Sequence, residues 1–374
     1  MKVALISSAD FDPNTGVSGS RIALSDALRK LDIRVDTYFM DDLKLFSGGL
    51  LDRVIFPWRV ALKIKKWREY DLIDIASGDG WILTFMKNRP IAVFSSHGLE
   101  HLAHEEIVKE SVQGHLKLSW KYPIYWGGIR LQEVTSSIRR SDMSIVLNKT
   151  DKDYIVNQIG IELDRIRIVP NGIPDYFLNQ NVKIERKNNG QINIAQVGSY
   201  IQRKGIDYST KALNKILSLY PNVSVTFFGT GCPVEQVHQA FNYTVTDRVH
   251  VIENYNHVDL PNLLRGFHIN LFPSLSEGFG KTLIEAMSCG LAPITFETPG
   301  PNDIVNNNHD ALVVPRRNIR ALENAIEQLI NDETLLYNIR HNAYQTAQKY
   351  SWYQAAEIRL NAYKQALKNR DKRK

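Results

Sequence analysis

The chain has 374 residues, 43% of them hydrophobic and 23% charged, an ordinary globular composition in a length greater than one core usually serves, so two domains are expected. Its formal net charge of +6 is local: residues 368–374 hold five Lys or Arg against Asp371 and supply +4 by themselves, which excludes a general nucleic-acid-binding surface as the meaning of the basic balance. The opening MKVALISSAD lacks the apolar run of a signal peptide, no stretch approaches a membrane span, and Cys232 and Cys289 stand in no metal-ligand spacing, so a cytoplasmic protein with buried free thiols is expected.

In chain order, an apolar run at residues 3–7 predicts a strand, the pattern Ile22, Leu24, Ala27, Leu28, Leu31 a helix, and residues 33–39 a second strand. In the first strand-to-helix loop, Gly16 and Gly19 are small enough for backbone to approach a ligand. Residues 53–68 carry six Lys or Arg and no acid. As one helix they set Arg59, Lys63 and Lys66 in a stripe beside Val60, Ile64 and Trp67, which suits either a core-packed helix with a solvated basic face or one lying on an anionic membrane. Strands at 72–76, 91–95, 144–147 and 166–169 continue a parallel sheet. His97 lies just past the strand at 91–95; His101 and His104 follow within two turns, and with no clear fourth ligand they read as helix histidines rather than a zinc site. Residues 115–140 gather Trp120, Tyr122, Tyr125 and Trp126, either plain packing or the lining of an acceptor groove.

The turn cluster PNGIP at residues 170–174 and the polar stretch 179–190 read as a boundary. A second sheet then starts, with strands at 192–197, 223–228, 249–252, 269–272 and 293–296, and residues 351–367 form a last amphipathic helix. The expected fold class is α/β: two Rossmann-like doubly wound domains facing a cleft, with ligands beyond the carboxyl ends of the strands.

Residues 273–290 read PSLSEGFGKTLIEAMSCG. The turn Gly278-Phe279-Gly280 brings backbone N–H groups close to a ligand, and the helix opening near Lys281 aims its positive dipole end at the same spot, where a phosphate belongs. At about 100° per residue Lys281 and Glu285 share one helix face while Leu283 and Met287 take the opposite, core-facing one. A carboxylate repels a phosphate, so Glu277 and Glu285 are better suited to accept hydrogen bonds from hydroxyls, one sugar at each end of a diphosphate.

That segment resembles the signature of the retaining glycosyltransferases of family 4, which have the GT-B fold. Family-like stretches recur in order over most of the chain: VPNGI at 169–173, VGSYIQRKG at 197–205, FFGTG at 227–231 and TPGPNDIV at 298–305. The resemblance implies a nucleoside-diphosphate sugar bound mainly by a domain at residues 173–350, and an acceptor-side domain at 1–172 joined by a returning helix at 351–374. It implies that Glu277 contacts the donor sugar, that Glu285 holds the ribose hydroxyls, and that His97 stands near the anomeric carbon. Gly278, Phe279, Gly280, Lys281 and Thr282 complete the donor site. Arg203 and Lys204 fall near the expected diphosphate and offset leaving-group charge, and Gly16 approaches the same group. Ser199 occupies the place where family members often carry Arg, so Arg203 is the candidate substitute.

Two Asp-x-Asp pairs occur, Asp10/Asp12 and Asp151/Asp153. The second reads as acids in the first turn of a helix, and the first lies in a loop that family members use without metal, so neither a metal nor a cofactor is expected. What the resemblance implies is retaining transfer without a covalent nucleophile to an acceptor hydroxyl on a glycan or a lipid-linked molecule, in polysaccharide or glycolipid synthesis, in the cytoplasm or at its membrane face. A non-catalytic nucleotide-sugar-binding subunit and a sugar-nucleotide epimerase of the same fold are the alternatives.

Overall fold

The structure is a computed structural model, and it describes residues 1–13, 16–43, 50–185 and 190–371. Part of the polar boundary stretch, 186–189, and the last three basic residues of the tail, Lys372, Arg373 and Lys374, lie outside the described residues. The chain divides into two compact units: Met1–Gly172 with Trp352–Lys374, and Ile173–Ser351.

The first unit holds β1 (Lys2–Ile6), β2 (Arg34–Tyr38), β3 (Leu72–Ala76), β4 (Ile91–Ser95), β5 (Met143–Val146) and β6 (Ile166–Ile168) in the order β2-β1-β3-β4-β5-β6, every pair parallel. Helices cover both faces of such a sheet, so its inner strands are near-continuous apolar runs. β3 and β4 are buried at every position, whereas the edge strand β2 exposes Arg34 and Asp36. On one face Leu24, Ala27 and Leu28 of the helix Gly16–Arg29 pack with Ala355, Ala362, Tyr363 and Ala366 of the last helix, Trp352–Asp371. A buried charge joins these elements. Asp74 of β3 accepts from Arg21 at 2.5 Å, from Arg359 at 2.8 Å and from the Tyr363 hydroxyl. Burial alone raises a carboxyl pKa, but the Arg359 and Arg21 guanidiniums outweigh it and hold Asp74 well below the usual range.

The second unit holds β7 (Ile192–Val197), β8 (Val223–Phe228), β9 (Val249–Ile252), β10 (Ile269–Phe272), β11 (Ala292–Phe296) and β12 (Leu312–Val314) in the order β12-β11-β10-β7-β8-β9, again all parallel. The chain winds outward from β7 through β9, then returns to β10 on the other side of β7. The topological switch point is therefore between β7 and β10, with Ile269 in register with Ile194, and ligands of open α/β sheets bind at that point beyond the strand ends. In the first unit the switch lies between β1 and β3, where Ser8 donates its N–H (2.7 Å) and hydroxyl (3.0 Å) to Asp79.

Residues 53–68 do not form the expected single stripe. The helix Leu50–Leu62 ends before a separate turn, Ile64–Trp67. Arg59 is buried, pairing with Asp52 at 2.6 Å and donating to the Leu43 carbonyl at 3.1 Å, because Asp52 stands two turns earlier on the same inward face. Lys66 lies over the Tyr38 ring at 4.2 Å. The outward face is apolar instead, with Leu51 58%, Trp58 55% and Leu62 82% exposed. The aromatic stretch is also surface rather than core: Trp120 is 75% exposed, and a π-helical turn, Tyr125–Ile129, runs into the helix Arg130–Arg140. Among the described residues no helix is long and apolar enough to cross a membrane.

Candidate functional site

Two loops meet at the β7/β10 switch point. After β7 the chain turns at Gly198 (φ +131°), passes the exposed Ser199, and makes a short turn, Gln202–Lys204, closed by Gly205 at φ +71°. Only glycine fits at 205, since a Cβ there would stand 1.9 Å from the Pro273 carbonyl oxygen of the loop after β10. That approach lets the Leu275 N–H donate to the Arg203 carbonyl at 2.9 Å and the Arg203 guanidinium to the Ser276 carbonyl at 3.2 Å.

The result is a convergence of charge. Lys204 Nζ donates to Glu277 Oε1 at 2.5 Å, and Arg203 Nη1 lies 3.5 Å from the same oxygen. Burial pushes the Glu277 carboxyl up, but Lys204 and then Arg203 outweigh it and hold it below the usual range. Gly278 follows, half-buried, and Phe279 is buried, edge-on to Tyr350 with ring centroids 5.9 Å apart. Gly300 lies directly against Phe279, where a Cβ would come within 2.6 Å of its backbone, and donates its N–H to the Glu277 carbonyl at 3.1 Å. The turn is thus braced by the helix Pro299–Ile304.

Gly280, at φ +93°, caps the helix Lys281–Ser288. Lys281 and Thr282 are half-buried on its first turn, while Leu283 and Met287 are fully buried, as the periodicity predicts. Glu285 is also fully buried. Its Oε1 pairs with His257 Nε2 at 3.0 Å, and His257 Nδ1 pairs with the Tyr176 hydroxyl at 2.6 Å. Its Oε2 has no hydrogen-bond partner among the described residues. His257 and Tyr176 were not legible as site residues. No motif links positions 176, 257 and 285; only the winding that brings the segment after β9 beside the helix after β10 does so.

In the first unit, Gly16 opens the helix Gly16–Arg29 in an exposed position, and a Cβ there would meet nothing within 4 Å. His97 follows β4, with its Nε2 buried and without a hydrogen-bond partner among the described residues. Burial first, then Arg21 and Arg359, push its pKa down to about 3, so the imidazole is neutral. Asp151 pins its loop, accepting from the Leu99 N–H at 3.1 Å and the Ser96 hydroxyl at 3.5 Å, while Ser96 Oγ accepts from the Gly98 N–H at 3.0 Å. His101 bonds to Thr135 at 2.9 Å and His104 to Tyr122 at 3.2 Å. Asp151 lies in the first turn of the helix Lys149–Tyr154, its N–H bonded to the Asn148 cap at 2.7 Å.

Comparison with known proteins fits this geometry. The sequence model described as Glycosyl transferases group 1 matches residues 179–349, and the one described as Glycosyltransferase Family 4 matches residues 22–175. The chain belongs to the family 4 glycosyltransferases. This glycosyltransferase is 25% identical, over 98% of its length and 83% of the relative's, to a phosphatidylinositol N-acetylglucosaminyltransferase subunit of Arabidopsis thaliana. Its fold is that of sucrose-phosphate synthase from Thermosynechococcus elongatus, with TM-score 0.79 and 20% identity over 97% of this chain and 98% of that one. HepE of Anabaena, solved in complex with UDP, gives TM-score 0.69 and 18% identity over 96% and 99%. The fold class of the glycosyltransferase is thus two Rossmann-like domains of GT-B type. Of its nominated residues, Ser199, Arg203, Lys204 and the segment from Glu277 to Glu285 belong to one switch point in the second unit, and Gly16 and His97 belong to the first unit.

Proposed function

We propose that this glycosyltransferase moves a sugar from a nucleoside-diphosphate sugar to an acceptor hydroxyl with retention at the anomeric carbon. The observation that carries this reading is the convergence of Lys204 and Arg203 on Glu277 beside the glycine-capped helix at the β7/β10 switch point. Two cations and a helix N-terminus offer a diphosphate its countercharge, and they stabilise the leaving group as its charge grows. Glu277 serves the donor sugar and Glu285 the ribose hydroxyls; Gly278, Phe279, Gly280, Lys281, Thr282 and Ser199 shape the donor site, and Gly16 serves the diphosphate. His97, held neutral, serves the donor sugar as an uncharged hydrogen-bonding group. The departing phosphate oxygen takes the acceptor's proton on the same face, so no covalent nucleophile is assigned. The countercharge from Arg203 and Lys204 makes the transfer independent of divalent metal, and rates unaffected by chelator are the expected result.

The acceptor side falls to the first unit, and a glycan or lipid-linked acceptor in polysaccharide or glycolipid synthesis fits best. Support comes from the relative whose name joins an N-acetylglucosaminyltransferase to phosphatidylinositol, and from the exposed Leu51, Trp58 and Leu62 face with Lys63 and Lys65 at its end, which suits an anionic membrane surface. That relative is one component of its enzyme by name, which keeps a binding-only role as the second reading. The deciding experiment screens nucleotide sugars by thermal stabilisation, since a ligand at a hundred times its dissociation constant stabilises by about 2.7 kcal/mol. It then follows release of nucleoside diphosphate on adding acceptors. Stabilisation without release under every acceptor supports the binding-only role, and a sugar altered while still attached to its nucleotide supports an epimerase.

A further inference from the structure

A fully buried carboxylate with one oxygen bonded and the other bare is an unfinished site. Glu285 is such a group: Oε1 is taken by His257 and Oε2 has no hydrogen-bond partner among the described residues. Leaving a buried acceptor unmet carries its desolvation cost, so Oε2 calls for a donor from outside the described residues, such as a ligand hydroxyl or a water.

The protein side of the carboxylate is built as a relay from three distant places in the second unit. His257 opens a short turn after β9, Tyr176 stands in the turn Asp175–Phe177, and Glu285 lies in the second turn of the helix Lys281–Ser288. His257 Nε2 pairs with Glu285 Oε1 and His257 Nδ1 pairs with the Tyr176 hydroxyl, so one imidazole links the other two side chains. The imidazole is held sideways as well, with its centroid 5.4 Å from that of the buried Phe177 and 5.9 Å from that of Tyr176. A histidine held by one partner to orient another group is a recurrent device of functional sites.

We propose that His257, backed by Tyr176, is a positioning residue that aims Glu285 Oε2 at the ribose hydroxyls of the nucleotide, and that this relay makes the protein select ribonucleotides over 2′-deoxyribonucleotides. The inference rests on the ribose role of Glu285 proposed above. A site built to accept from a hydroxyl rejects the analogue lacking it, because the buried acceptor is then left unpaired.

The test is calorimetric titration of the uridine, guanosine and adenosine 5′-diphosphates, each with its 2′-deoxy counterpart, into the full chain and its His257→Ala, His257→Gln, Tyr176→Phe and Glu285→Gln variants. Wild type binds one ribonucleotide about tenfold to a hundredfold more tightly than its deoxy partner. His257→Ala removes most of that ratio by weakening the ribonucleotide and leaving the deoxynucleotide nearly unchanged. His257→Gln, which keeps a donor, restores part of it. Tyr176→Phe removes only a hydroxyl, so it reports on the relay even where the alanine variant folds poorly, and it lowers the ratio to an intermediate value. A wild-type ratio that survives in Tyr176→Phe and in folded His257 variants, but not in Glu285→Gln, overturns the relay while leaving the ribose role standing. A wild type that shows no ratio, or a ratio that Glu285→Gln retains, overturns the selection of the 2′-hydroxyl by Glu285, and a nucleotide affinity that Glu285→Gln leaves unchanged overturns the ribose role itself.

Discussion

Lys204 Nζ donates to Glu277 Oε1 at 2.5 Å across 73 residues of sequence. The contact exists because β7 and β10, from whose ends the two loops spring, are neighbours at the reversal of strand order. It sets a cation and a carboxylate together at the switch point, and the depressed Glu277 pKa follows from it.

If the proposed roles hold, variants of the two glutamates separate by effect. Glu285→Ala weakens nucleoside diphosphate binding by about tenfold to a hundredfold, the worth of hydrogen bonds to a charged group. Glu277→Ala leaves that affinity within a few-fold and lowers kcat by about a hundredfold or more. Calorimetry and initial rates on both variants check this. Unchanged nucleotide affinity in Glu285→Ala contradicts the ribose assignment.

Gly205 and Gly231 both have positive φ, +71° and +64°, but differ in their surroundings. Ala at either place meets a backbone cost of about 1–2 kcal/mol. At Gly231 a Cβ has open space, whereas at Gly205 it would sit 1.9 Å from the Pro273 oxygen. Urea unfolding should therefore find Gly205→Ala destabilised by clearly more than Gly231→Ala, with donor affinity lost alongside. Equal losses would mean that the two loops do not need their close approach.

Asp151 gives a pH signature. Burial raises its pKa from 3.8 to about 7, against the opposing hydrogen bonds of Asn148, Leu99 and Ser96. The folded state thus holds a proton that the unfolded chain releases earlier, and stability through this group is full below about pH 4 and falls as pH rises toward 7. Asp151→Asn lacks that dependence while keeping an acceptor for Leu99. Measured by denaturant unfolding at several pH values, wild type should lose ground to the variant as pH rises through this window, and a constant difference would contradict the buried-acid reading.

Membrane docking, if it follows the exposed face, depends on Trp58 and Leu62 and not on Arg59. Flotation with anionic vesicles at low salt should fall in Trp58→Ser with Leu62→Ser, and should weaken with salt because each basic residue near the surface contributes about 1 kcal/mol. Arg59→Glu instead breaks a buried ion pair and costs about 3–5 kcal/mol of stability. A wild type that ignores anionic vesicles contradicts the docking surface.

Much of this was legible in the chain because parallel strands buried on both faces are continuous apolar runs; β3 and β4 show it best. β12 is not legible in the chain, since its three residues, Leu312–Val314, are too few to carry a pattern. The glycine turn and the helix start at Lys281 are legible because they are local: glycines and an amphipathic pattern within one segment. The burial of Arg59 is not legible, because its pairing with Asp52 is a contact that periodicity does not name. The Tyr176–His257–Glu285 relay escaped for a deeper reason, since its members meet only through the order in which the second sheet is wound.

Everything proposed for the second unit depends on the β7/β10 switch point binding the diphosphate of a nucleotide sugar. Calorimetric titration of nucleoside diphosphates into wild type and Lys204→Ala, with EDTA present throughout, tests this without intermediaries. At least one nucleoside diphosphate should bind wild type without metal, and Lys204→Ala should weaken it by about tenfold to a hundredfold. Binding that the variant leaves unchanged, or no binding of any nucleoside diphosphate to wild type, would contradict it.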